Sequence, residues 1–84
     1  MSYFVYILRS QKDGSYYVGS TQDLDERIQR HNEGRCLYTK ARKPWSLVYF
    51  QEYQDRAKAL KREREIKSKK KRGYIESLVR TPRP

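Results

Sequence analysis

Little in this chain of 84 residues stays apolar for long. No stretch approaches the roughly 20 apolar residues that a membrane span requires, and no segment reads as a signal peptide. The single cysteine, Cys36, excludes an internal disulfide and has no second thiol nearby in sequence. No Cys/His cluster has zinc spacing. The four glycines are too few, and wrongly spaced, for a phosphate-cradling loop of the Walker or dinucleotide type. Internal repeats are absent as well. Acidic residues are scarce: ten Asp plus Glu stand against twenty Lys plus Arg, a formal net charge of +10. These absences exclude membrane spans, disulfide scaffolds, zinc modules and nucleotide-phosphate loops. The charge imbalance points to a polyanionic partner. A cytoplasmic protein that binds nucleic acid is the expectation, with a merely soluble basic protein as the alternative.

What is present suffices for one small domain. Tyr3–Leu8 is a continuous run of strand formers, and Asp13-Gly14 is a turn signal. Tyr16–Val18 is a second short strand. The two predict an antiparallel hairpin pairing Tyr3–Arg9 with Ser15–Gly19. Ser20 or Thr21 is placed to cap a helix whose first turns carry Asp23, Asp25 and Glu26. Leu24, Ile28 and His31 recur at helical spacing, and Asn32 and Gly34 are stop signals, which predicts a helix over Gln22–Glu33. Trp45–Tyr53 has the composition of a third strand. Asp55 caps a second helix expected to end at Gly73. "YIESLV" predicts a last short helix, and the tail from Arg80 to Pro84 is expected to be disordered. The order β-β-α-β-α-α predicts a small α/β sandwich, a three-stranded antiparallel sheet flanked by helices, as one domain over residues 1–79.

Several residues fit packing poorly. Strand alternation puts Phe4, Tyr6 and Leu8 on one face, and a hairpin of this length can bring Tyr6 and Tyr17 to the same face. Both tyrosines also make ordinary core residues. Gly19, after the second strand, permits close approach to a phosphate or serves as a plain turn. Arg27 and His31 lie one helical turn apart at the edge of the apolar stripe. Arg27 suits a phosphate or is a snorkelling surface side chain. His31 is a satisfied buried histidine or a contact to phosphate. Glu63 falls on the line from Ala59 to Ile66, where a carboxylate needs a cation or a partner such as Lys67.

At these residues the chain resembles the GIY-YIG nuclease family, and in particular its small stand-alone bacterial members. Phe4-Val5-Tyr6 looks like the first family motif, with the tyrosine literal, and Tyr17-Val18-Gly19 is close to the second. Tyr6 precedes Tyr17 by eleven positions, and Arg27 follows Tyr17 by ten, as the family has them. His31 stands where members carry His or Tyr, and Glu63 matches the metal-holding glutamate. The likeness runs from about Tyr3 to Lys71. It implies phosphodiester hydrolysis with one Mg²⁺ or Mn²⁺ ion on Glu63. Tyr17 is then the general base, Tyr6 orients water or phosphate, Arg27 binds phosphate, and His31 assists through a bond to Tyr17 or phosphate. The first motif lacks its leading glycine, and Ser20 stands where DNA-nicking members carry lysine.

Binding is expected from Gly19 and Ser20, from Lys40, Arg42 and Lys43 in the loop before the third strand, and from Lys67 and Lys70 in "KSKKKR". Tyr38 and Trp45 flank that loop and are candidates for stacking on exposed bases. Together these imply a metal-dependent nuclease, with DNA ahead of RNA as substrate and repair or processing as the setting. The alternative is a non-catalytic nucleic-acid-binding module on the same scaffold.

Overall fold

The expected hairpin is present and longer than its sequence suggests. In the computed structural model, which describes residues 2–69 and 71–80, strand β1 spans Tyr3–Ser10 and β2 spans Tyr16–Thr21. The Asp13 carboxylate closes the turn by accepting bonds from Ser15 N (3.0 Å) and Ser15 Oγ (2.7 Å), and Gly14 takes a left-handed φ of 75°. Strand β3 spans Trp45–Tyr53, as expected. It pairs antiparallel with β1, which leaves the strand order β2-β1-β3 and makes β2 an edge.

The helix α1 covers Leu24–Asn32 and starts later than expected. Its cap is Asp23, not Ser20 or Thr21: the Asp23 side chain accepts from Glu26 N at 3.0 Å. The reason is register. Thr21 still pairs with Phe4 of β1, so the chain stays extended until it is past that residue. The helix ends as the stop signals predict. Arg35 N bonds Arg30 O and Gly34 N bonds His31 O, with Gly34 at φ 77°, a Schellman arrangement.

The helix α2 covers Arg56–Lys69 and is capped by Asp55, whose carboxylate accepts from Ala57 N at 2.8 Å. It stops before Gly73, which lies inside the next helix, α3, over Arg72–Arg80. The break falls earlier because Tyr74, Ile75, Leu78 and Val79 form a separate apolar stripe that packs on the sheet. Lys70 and residues 81–84 of the tail lie outside the described residues; Arg80 itself is helical. A short 3-10 turn over Lys40–Arg42 precedes the cis Lys43–Pro44 peptide.

The alternation of β1 divides the core. Val5 and Ile7 face α2 and α3, with Val18, Tyr49, Ala59 and Ile66. Tyr6 and Leu8 face α1 with Trp45, and Tyr17, Leu24 and Ile28 pack against them. Each fully buried aliphatic side chain contributes about 1.5–3 kcal/mol. Val5, Ile7, Leu8 and Ile66, all at most 1% exposed, therefore hold the sheet in place. This is the expected α/β sandwich, with one helix on one face and two on the other. Among the described residues no helix is long and apolar enough to cross a membrane.

Candidate active site

Tyr6 leaves the central strand on the α1 face, opposite Gly19 of β2. Its ring lies across that glycine: a Cβ at position 19 would stand 2.6 Å from Tyr6 Oη and 2.7 Å from Cζ. Gly19 is therefore neither a strand-to-helix turn nor an opening for phosphate. It lies within β2, and its missing side chain makes room for a tyrosine. Tyr6 is fully buried and its Oη is hydrogen-bonded to His31 Nε2 at 3.1 Å, so the ring has no easy way to yield. Gly19→Ala is expected to cost about 1–3 kcal/mol from overpacking. Thermal melting measures this, and an unchanged Tm would mean the Tyr6 ring moves freely.

His31 is 1% exposed, and both ring nitrogens are engaged, Nε2 with Tyr6 and Nδ1 with Thr39 Oγ1 at 2.7 Å. The expected partner Tyr17 instead lies against the imidazole, with ring centroids 4.9 Å apart. The reason is that Tyr6, crossing Gly19, brings its hydroxyl to the histidine first. Burial pushes the His31 pKa below its ordinary value, and the nearby charges of Arg27 and Arg30 push it further. The unfolded chain then binds the extra proton more readily than the folded one. The stability His31 contributes is full above pH 6.5 and is lost as pH falls below it. Tm is expected to drop between about pH 7 and pH 5.5, and His31→Gln should flatten that slope. An equal slope in both proteins would remove His31 as the cause.

Tyr17 is half-buried in a ring cluster, 6.3 Å between centroids from Tyr6, 6.3 Å from Trp45 and 6.0 Å from Tyr38. Burial raises its phenol pKa, and the Cys36 thiol adds to the effect. Lys67 opposes it, Glu63 supports it and Arg27 opposes it. Tyr6 is raised more strongly, again chiefly by burial and next by Tyr17, with Arg27 acting against both. Arg27 thus stands beside the Tyr6 hydroxyl. Its Nε is buried with no hydrogen-bond partner among the described residues, a donor in need of an acceptor.

Glu63 comes from α2, on the other side of the sheet. Because β2 is an edge strand, the carboxylate sits at that edge on Ser20, and its charge helps raise both tyrosine pKa values. Only 18% of the side chain is exposed. Ser20 Oγ donates to Oε1 at 2.7 Å and Lys67 Nζ to Oε2 at 2.6 Å. Ser20 and Lys67, expected to touch nucleic acid, thus hold Glu63. Among the described residues no cluster of three or more His, Cys, Asp or Glu stands ready for a metal. The donors at hand are hard oxygens, one carboxylate and one hydroxyl. That set fits a hard divalent cation that would displace the Lys67 ammonium from Oε2 and keep most of its ligands as water and phosphate.

The basic loop is tied elsewhere. Arg42 Nε pairs with Asp13 at 3.5 Å, and Ser10 Oγ donates to Arg42 O at 2.6 Å. Lys40, Arg42 and Lys43 are exposed; Arg42 stands at the hairpin turn, and the Lys40 and Lys43 side chains lie beside Gly34 at the end of α1. Tyr38 is 77% exposed beside Tyr17, but Trp45 is only 5% exposed. Trp45 is not free to stack on bases, because its Nε1 donates to Thr39 O at 3.0 Å and Asn32 bonds its backbone N and O. Thr39, which orients His31, and Cys36, which acts on Tyr17, gave no periodic signal in the sequence. Arg56 was also missed; it lines an open cleft of about 520 Å³ with Ser20, Arg27, Ala59 and Leu60.

The family model described as "GIY-YIG catalytic domain" matches residues 2–75. The chain belongs to the GIY-YIG family. UPF0213 proteins of Staphylococcus aureus strains Mu3 and N315 are each 47% identical to it over 68 residues, which cover 80% of this chain and 82% of theirs. The solution NMR structure of the UPF0213 protein BH0048 from Bacillus halodurans superposes with a TM-score of 0.60 at 39% identity. That match covers 94% of this chain and 83% of the other. GIY-YIG proteins are nucleases, generally dependent on divalent metal, so membership supports a nuclease function acting on nucleic acid.

Proposed function

We propose that this chain is a divalent-metal-dependent endonuclease that hydrolyses phosphodiester bonds, with DNA as its main substrate and DNA repair or processing as its setting in the cytoplasm. One observation supports the reading: Tyr6, Tyr17, Arg27 and His31 cluster on one face, and Glu63 from the other face is held at the β2 edge by Ser20. Glu63 would hold Mg²⁺ or Mn²⁺, with Ser20 fixing the rotamer of its carboxylate. The bound ion supplies Lewis-acid stabilisation of the scissile phosphate and of the leaving oxygen.

The chain's own residues do the rest. Arg27, which lines the open cleft beside Ser20, would offer its guanidinium to a phosphate oxygen, where it also stabilises developing negative charge. Tyr17 Oη, as the phenolate, would accept a proton from the attacking water. That phenolate is scarce in the free protein, because burial raises the phenol pKa and only Lys67 and Arg27 work in the other direction. Neutral His31 fixes the Tyr6 hydroxyl, and Tyr6, fully buried, acts by holding Arg27 and Tyr17 in place for the water or the phosphate.

The raised Tyr17 phenol is also what favours the second reading, a module that binds nucleic acid without cleaving it. The test is incubation with labelled single-stranded, duplex and flapped DNA and with RNA, in Mg²⁺ or Mn²⁺ and in EDTA. The proposal requires cleavage that EDTA stops. Tight binding with no cleavage of any substrate would replace it with the binding module.

A further inference from the structure

A second open groove, of about 570 Å³, has Tyr17 in its wall together with Lys67, the partner of Glu63. Its walls are the rings of Tyr16, Tyr17 and Tyr38, the side chains of Ile66 and Ile75, and Lys67. Tyr38 is 77% exposed, so a large aromatic ring is held in water with only the Tyr17 ring beside it. The Arg72 guanidinium lies 4.9 Å from the centroid of the Tyr16 ring. The groove therefore combines flat apolar walls and one open ring face, while Lys67 in its wall pairs with Glu63 at 2.6 Å and Arg72 behind Tyr16 pairs with Glu76 at 3.7 Å.

We propose that this groove is a nucleobase subsite, taking one unpaired base of the strand whose phosphate lies at Tyr17, and that the substrate carries an unpaired nucleotide there. The inference rests on the reading of Tyr17 and Arg27 as the phosphate site. Three features choose the occupant. The groove shares Tyr17 with that site, so a base entering it is on a nucleotide adjoining the phosphate. The net charge of +10 complements a nucleic-acid backbone, and Lys67 in the wall joins the groove to Glu63. The walls give ring faces and aliphatic carbons in place of a line of hydrogen-bond donors, which suits stacking without base-edge reading. A base inside a duplex has no free face to offer, and unstacking it costs a few kcal/mol.

The test is equilibrium binding in EDTA, so that no cleavage enters the result. Single-stranded DNA oligonucleotides with one 2-aminopurine or one abasic residue walked along the strand are compared with the matched duplex. Stacking on an exposed aromatic predicts that Tyr38→Ala weakens single-strand binding by about 5- to 100-fold, while Tyr38→Phe stays within about twofold. Duplex binding should not change, and an abasic residue at one position should reproduce the loss. Tyr38 is exposed, so the variants are expected to melt like the parent. Wild-type single-strand affinity in Tyr38→Ala, equal losses on single strand and duplex, or a flat abasic walk would each overturn the subsite. Because cleavage is not read, a chain that never cleaves still tests this inference. Conversely, cleavage with no Tyr38 dependence of binding would remove the subsite and leave the nuclease.

Discussion

Tyr17→Phe is expected to slow cleavage by about 100- to 10,000-fold, the range a positioned general base contributes, while affinity in EDTA stays within about twofold. The substitution removes one oxygen. The ring that stacks against His31 and Tyr38 remains, so the aromatic cluster and the groove are preserved. The pH profile adds a sign. A base must be deprotonated to act, and burial, followed by the Cys36 thiol, raises the Tyr17 phenol pKa above its ordinary value. The wild-type rate should therefore climb with pH through the neutral range and beyond, and the phenylalanine variant should lose that climb. A variant as fast as the parent, with the same pH dependence, would remove Tyr17 from the chemistry and leave it as a core ring.

Glu63→Gln should lower metal-dependent cleavage by about a thousandfold, since a lost metal interaction of several kcal/mol corresponds to about tenfold per 1.4 kcal/mol. Glutamine keeps the shape and can still accept from Ser20 Oγ, but it carries no charge for a cation or for Lys67. A second readout needs no substrate. If Mn²⁺ raises the Tm of the parent by binding the folded state, the rise should vanish in the variant. Binding of nucleic acid in EDTA should persist or tighten, because Lys67 is released from its 2.6 Å contact and becomes free to meet phosphate. Ser20→Ala should fall between parent and Glu63→Gln, because it frees the carboxylate without removing it. Unchanged metal titration of cleavage in Glu63→Gln would place any ion elsewhere.

Much of the fold could be read in the sequence because its signals are local. The continuous strand formers of β1, the Asp13-Gly14 turn and the Gly34 stop each act within a few residues, and the bounds of β3 match its composition to the residue. The errors share a different cause. The start of α1 and the place of Gly19 depend on the pairing of β2 with β1, which is a long-range fact. The end of α2 depends on where the α3 stripe must dock. At the site, Tyr6, Tyr17, Arg27, His31 and Glu63 stood out because each breaks a packing pattern, and the structure brings them together. Their partners did not stand out. Thr39 lies in an irregular basic loop, and only folding puts its hydroxyl on His31 Nδ1. Trp45 has the composition of a strand residue and of a stacking platform alike, and only its 5% exposure separates the two. The His31 hydrogen bond went to Tyr6 because a glycine across the strand lets that ring lie down, a pairing that no single-strand pattern records.

The most direct measurement is single-turnover cleavage of the best substrate by the Tyr17→Phe, Glu63→Gln double variant in Mn²⁺, beside the parent and with EDTA as background. If both residues serve one hydrolytic step, the double variant should cleave no faster than the slower single variant, and the losses should fall well short of multiplying. Cleavage at the parental rate would mean that the bond is broken at another site or by another protein, and the β2-edge assignment would fall.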